Sequence, residues 1–145
     1  MNSDIYGFAG YQVKRVQQEL RMVMDEALKK HGLTTPQYVV LWVLEQEGEL
    51  SSSALARQSR VTAQTMDVLV KGLEGAGLVA RRRHPGHGRI LLVSLTAKGT
   101  AALRRGREVA LQVQAEVLKP LGSEERRRLV KDLRAIEEAT SGQGT

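Results

Sequence analysis

The sequence predicts a mainly α-helical protein carrying one small β-hairpin, an α+β class. Three observations lead there. Apolar residues recur at helical spacing over most of the chain, whereas one interval near residues 78–95 alternates and is interrupted by His84-Pro85-Gly86-His87-Gly88. Glycine, proline and hydroxyl residues fall where helices should stop and start. A length of 145 residues supports one sizeable core but not two comfortable ones, so a single folding unit is expected.

The first helix is expected from Asp4 to Lys30, a stretch without proline in which Val13, Val16, Leu20, Val23, Met24, Ala27 and Leu28 repeat at helical spacing. His31-Gly32 ends it, the glycine supplying a left-handed position beyond the last turn. A second helix starts at Thr34 or Thr35, with Pro36 in its first turn, and stops near Gly48. Tyr38 to Leu44 is apolar almost all round, so this helix should lie at the centre of the core. Ser51, Ser52 and Ser53 offer caps for a short helix through Ala54 to Arg57. After a turn at Ser59-Arg60, Thr62 caps another, whose Thr65, Met66, Leu69, Val70 and Leu73 fall on a helical repeat up to Gly75 and Gly77. Two short helices joined by a tight turn form a helix-turn-helix.

Leu78 to Arg83 and Ile90 to Leu95 read as the two strands of the hairpin, a candidate wing. Thr96 caps a long helix that closes at Pro120. Ser123-Glu124-Glu125 opens a last one, its acidic first turn matched to the helix dipole and Leu129, Val130, Leu133 and Ile136 on its inner face. The tail SGQGT is too polar and glycine-rich to order itself.

Charge separates the thirds of the chain. The formal net charge is +6, but residues 1–50 carry −2, residues 51–100 carry +6 and residues 101–145 carry +2. A basic middle between nearly neutral flanks is the footprint of a nucleic-acid surface. With no cysteine, disulfides, thiolate zinc sites and cysteine nucleophiles are excluded. The opening MNSDIYGFAGYQ lacks the basic and apolar regions of a signal peptide and no apolar run is long enough for a span, so a soluble, cytoplasmic protein without membrane contact is expected. His31, His84 and His87 make no convincing ligand set, and neither a metal nor a cofactor is expected.

The segments LTTPQYVVLWVL, LARQSRVTAQTMDVLVKGLEGAGLVARR and RILLVSLTAKG follow one another at a spacing that resembles the MarR family, over about residues 33–99. The resemblance implies a dimeric winged helix-turn-helix protein that binds a pseudo-palindromic operator on double-stranded DNA. It divides the chain into an N-terminal dimerisation helix at 1–32, a DNA-binding lobe at 33–99 and C-terminal dimerisation helices at 100–145. Such proteins are usually repressors, many released by a small aromatic ligand. One position departs from the pattern: where the family wing usually holds an aspartate, this chain has His87, although Arg89 remains. Histidine gains charge near physiological pH, so DNA affinity is expected to rise as pH falls from about 8 to 6.

On that reading the helix opened by Thr62 enters the major groove. Thr62, Ala63, Gln64, Thr65 and Lys71 are its contact candidates, with Ser52 and Ser53 on the preceding helix. Gln64 is the best specificity residue, because an amide pairs bidentately with adenine. Asp67 is awkward on such a surface. Arg82, His87 and Arg89 represent the wing, Arg89 being placed to enter a narrow minor groove. Each has a plainer reading as a cap or a solvated side chain. Tyr11, Arg15, Tyr38 and Trp42 are the ligand candidates, although aromatics at helical spacing are more often core. A regulator released by an effector is the leading function and a constitutive or architectural DNA-binding protein the alternative. An enzyme is not expected, because no phosphate-cradling loop and no histidine–carboxylate pair at catalytic spacing is present.

Overall fold

The computed structural model describes the backbone of residues 3–142 and the side chains of residues 7–142. In chain order the elements are α1 (Ser3–Lys29), α2 (Thr35–Glu47), β1 (Leu50–Ser51), α3 (Ser52–Gln58), α4 (Ala63–Gly75), β2 (Val79–His84), β3 (His87–Leu95), α5 (Ala97–Val117) and α6 (Ser123–Ser141). They fall into two compact units divided between Leu111 and Gln112. No described helix is long and apolar enough to cross a membrane.

In the first unit α2 is the pivot, as its all-round apolar sequence suggests. Val40, Leu41, Val43 and Leu44 are buried, and Leu28, Leu55, Met66, Val70, Leu73, Val93 and Leu103 complete a core drawn from α1, α3, α4, β3 and α5. The start of α2 is fixed twice. Thr34 accepts a hydrogen bond from the Gln37 amide at 3.3 Å while its own amide donates to Gln37 Oε1 at 3.0 Å, a reciprocal cap. Asp25 reaches across from α1 and accepts from both the amide and the hydroxyl of Thr35, at 2.8 and 2.6 Å. Thr35 therefore serves the α1–α2 joint and Thr34 the cap.

Ser51 caps α3 and Thr62 caps α4, each accepting from the amide three residues on, at 3.2 and 3.1 Å. Between the helices Arg60 takes the left-handed conformation, with φ at 54°. The sheet has three antiparallel strands in the order β1-β3-β2. Sequence patterning supplies two of them; β1 is only two residues long, too short for alternation to register, and Ser51 looks like a cap alone. The connection expected at His84 to Gly88 is tighter than anticipated, since pairing runs out to His84 and His87 and leaves Pro85-Gly86 as the turn.

Two glycines let α5 approach closely. A Cβ on Gly99 would lie 1.9 Å from the carbonyl oxygen of Leu78, and one on Gly106 would lie 2.7 Å from the ring of Tyr38. In the second unit the Gly122 amide donates to Glu125 at 3.0 Å, and Arg126 donates to the carbonyls of Leu118 and Leu121, closing the turn before α6. No residue of α6 is buried: Leu129, Val130, Leu133 and Ile136 are 37–58% exposed. The helix runs to Ser141, so the tail expected to lack order begins with a helical residue; Gln143 to Thr145 lie outside the described residues.

Candidate nucleic-acid interface

The inner face of α4 is spent on the core through Met66, Val70 and Leu73. Its other face is exposed, and there the fold collects Thr62, Ala63, Gln64, Thr65, Asp67, Val68 and Lys71. Gln64, Val68 and Lys71 share the outward stripe at helical spacing. The hydroxyls of Thr62 and Thr65 bond each other at 3.0 Å, so these two side chains hold the cap in place before anything docks. Lys71 meets Asp67 at 3.0 Å. That answers where the awkward carboxylate goes, and an exposed pair of this kind is worth at most about 1 kcal/mol and yields easily to a phosphate. On α3, Ser53 is exposed and Ser52 half-buried.

The three arginines of β2 separate by partner. Arg81 donates through Nε and Nη2 to the two carboxylate oxygens of Glu74 at 3.0 and 2.8 Å. Arg82 does the same to Glu49, at 2.8 and 2.5 Å. Arg83 is exposed. Hydrogen bonds from Arg82 and Arg81 hold Glu49 and Glu74 below the usual carboxylate range, against a smaller opposing desolvation. One pair ties the wing to α4, the other to the segment leading into β1. Sequence reading missed both acids. For Glu74 a signal was present: residues 51–100 contain only two acidic residues, Asp67 and Glu74, amid eight basic ones, whereas Glu49 lies outside that stretch.

Arg89 stands apart from these. Between the pairs Arg83 with Leu91 and His84 with His87, β3 holds Gly88, Arg89 and Ile90 where β2 holds nothing, so the arginine rides on a bulge. Bulges re-aim side chains. Across the turn the rings of His84 and His87 lie 5.4 Å apart, and His84 Nδ1 accepts from the Gly86 amide at 2.9 Å.

The four ligand candidates form two groups. On α1, Arg15 stands 5.9 Å above the ring of Tyr11, and both side chains are exposed. On α2, Tyr38 packs on Gly106, and burial pushes its hydroxyl pKa up, against a smaller opposing effect of Arg107. Arg107 is itself paired with Glu45. Trp42 on the same helix is 45% exposed. Among the described residues no hydrogen bond, ion pair or ring contact joins the α1 pair to the α2 pair.

A family model for the MarR family matches residues 31–90, the region of this lobe. The HTH-type transcriptional repressor Rv2887 of Mycobacterium tuberculosis is 39% identical over 127 residues, covering 88% of this chain and 91% of the relative. The chain belongs to the MarR family. Its likeness extends to solved structures of MarR relatives. Rv2887 in complex with salicylic acid matches with a TM-score of 0.73 and 38% identity, over 88% of this chain and 94% of that one. BpsR of Bordetella bronchiseptica, whose DNA binding is regulated by 6-hydroxynicotinic acid, gives 0.81 and 25%, over 88% and 91%. For the fold alone, a variant of Escherichia coli MarR complexed with operator DNA gives 0.81 at 23% identity, over 88% and 91%. This MarR protein is thus a winged-helix transcriptional regulator, with the α3–α4 pair as its helix-turn-helix and the β2–β3 hairpin as its wing.

Proposed function

We propose that the chain is a cytoplasmic, homodimeric repressor that binds a pseudo-palindromic operator and releases it when a small aromatic acid binds. The observation that carries the reading is one lobe in which an exposed, capped α4 and an arginine-tipped wing are held together by two Arg–Glu pairs. In this reading α4 lies in the major groove, with Gln64 toward a base edge and Thr62, Ala63, Thr65 and Lys71 along its margins. Ser52 and Ser53 of α3 meet the backbone, while Arg89 and His87 follow the adjacent minor groove. Arg82 orients the wing. Residues 1–32 and 100–145 supply the dimer contact, which the open apolar face of α6 supports. No catalytic role is assigned to any residue.

The effector class is supported by the relatives: Rv2887 was solved with salicylic acid and BpsR responds to 6-hydroxynicotinic acid. Tyr11, Arg15, Tyr38 and Trp42 offer the two things such a ligand needs, a guanidinium for the carboxylate and rings for its face.

The test is selection of fragments bound from the source genome, followed by titration with salicylate. Enrichment of one palindromic site over random DNA on the order of a thousandfold, a steep fall of affinity with salt, and release by the acid are expected. Binding of random fragments within about tenfold of the best site would favour the architectural alternative and overturn the repressor reading.

A further inference from the structure

Val68 is 67% exposed, more than Trp42 at 45%, Leu91 at 41% or Ile90 at 39%, the other exposed large apolar side chains of the lobe. It stands at the centre of the outward stripe of α4, one turn after Gln64 and just short of one turn before Lys71. Its helical neighbours on that face are Gln64, Thr65, Lys71 and Gly72, unlike the exposed side chains of α1 and α6, which come in stripes. Val68 thus presents hydrocarbon on a stretch of α4 whose other exposed side chains are mostly amide, hydroxyl and charge.

The rest of the stripe narrows what it can meet. The sequence of α4, AQTMDVLVKGLEG, contains no arginine, so the bidentate guanidinium–guanine contact is absent from this helix. Lys71 is tied to Asp67. Farther along, Gly75 presents no side chain, and nothing lies within 4 Å of where its Cβ would be, which leaves room for a duplex to come close. Beside Ala63, the mutually bonded Thr62 and Thr65 hydroxyls and the Asp67–Lys71 pair, the stripe offers one amide, Gln64, and one branched hydrocarbon, Val68. On the major-groove edge of B-DNA the C5-methyl of thymine is the only apolar group, and the amide's best partner is adenine.

Accepting that the protein binds double-stranded DNA through α4, we propose that Val68 determines specificity by packing on a thymine methyl. The four residue steps from Gln64 to Val68 rise about 6 Å along the helix, and base pairs are about 3.4 Å apart, so the two side chains read positions one to two base pairs apart. The operator half-site therefore has an A·T-rich centre, with an adenine under Gln64 and a thymine under Val68.

The experiment uses the full-length protein and the fragment selected from the genome, resynthesised with each thymine replaced in turn by deoxyuridine, which removes only the C5-methyl. One replacement per half-site should weaken binding by the parent protein on the order of threefold to tenfold. Val68→Ala should weaken binding to the all-thymine operator by a similar factor, lose sensitivity to that same replacement, and keep its affinity for random DNA. Val68 is exposed, so the variant should fold as the parent does, which circular dichroism checks. Operator binding that is indifferent to every deoxyuridine replacement, or a sensitivity that Val68→Ala leaves intact, overturns the proposal while the DNA-binding reading stands. Failure to enrich any fragment overturns both. Loss of binding to a protein partner, with operator and deoxyuridine responses unchanged, assigns Val68 to a docking surface and overturns it too.

Discussion

The winged lobe and α6 are both rich in leucine and valine, yet they treat those residues in opposite ways. In the lobe Leu41, Leu55, Met66, Leu73 and Val93 are essentially inaccessible, and the helices and sheet close over them. Along α6 none of Leu129, Val130, Leu133 and Ile136 is buried. Hydrophobic content alone therefore says little about where a core lies; what matters is whether the elements bearing it can meet within one chain. In the lobe they do, and an exposed apolar stripe on a long helix such as α6 is the kind of surface the proposed dimer would cover.

The sharpest way to break the comparison is at Gly99. An alanine there would drive its Cβ into the Leu78 carbonyl, a backbone atom that cannot swing aside. Gly99→Ala should cost about 3 kcal/mol or more, a large fraction of a typical domain's stability. Gly106→Ala meets only the ring of Tyr38 and should cost less, about 1–3 kcal/mol. Urea unfolding followed by circular dichroism ranks the two.

The open face of α6 should respond in the opposite sense. Leu129→Asp together with Leu133→Asp should leave the lobe's unfolding midpoint nearly unchanged while weakening self-association on the order of a hundredfold or more. Light scattering and sedimentation measure this. An unaltered dimer would mean that α6 is not the interface.

Within the lobe, Glu49 discriminates between two roles for Arg82. If Arg82 serves mainly as a phosphate ligand, Glu49→Gln should strengthen DNA binding by freeing it. If the pair holds the wing in position, the same change should weaken operator binding severalfold, and exchanging the two residues should restore most of the loss. The bidentate geometry favours the second outcome, to be read from operator affinity at fixed ionic strength.

The smallest effect concerns Asp25. Partial burial raises its pKa, but the hydrogen bonds from Thr35 and Arg21 outweigh that and hold it below the usual carboxylate range. A depressed folded-state pKa contributes stability above the unfolded value, lost as pH falls through the folded one. Asp25→Asn should therefore be less stable than the parent at neutral pH, the gap closing below about pH 4. A constant difference from pH 7 to 3 would show that charge at this joint contributes nothing.

Much of the fold was legible because helices advertise themselves. Caps at Thr34, Ser51 and Thr62, the stop at Gly32 and the periodic runs of α1, α2 and α4 all follow from local chemistry that a sequence states directly. Motifs were visible before their causes were. The Leu-Thr-x-x-Gln opening turns out to be the Thr34–Gln37 cap. The Leu-Thr-x-x-Gly after the wing is Thr96 donating to the Gly77 carbonyl at 2.6 Å and accepting from the Gly99 amide at 3.0 Å, with Gly99 bare against Leu78. What stayed hidden depended on contacts far along the chain. The Arg82–Glu49 pair joins residues 33 apart, and β1 exists only because β3 lies beside it. Val68 escaped attention for another reason: a valine in a helical repeat is assumed to face inward until its phase against Met66, Val70 and Leu73 is drawn.

Ser51 belongs to two elements at once. It pairs with Leu92 as the last residue of β1, and its hydroxyl caps α3 by accepting from Ala54. No residue separates strand from helix, and the Arg81–Glu74 and Arg82–Glu49 pairs fasten β2 to α4 and to the segment before β1. Strand pairing, the Ser51 cap and the two ion pairs therefore couple the hairpin to α3 and α4 within one lobe. If the lobe moves as one piece, an operator with altered half-site spacing should be rejected rather than accommodated.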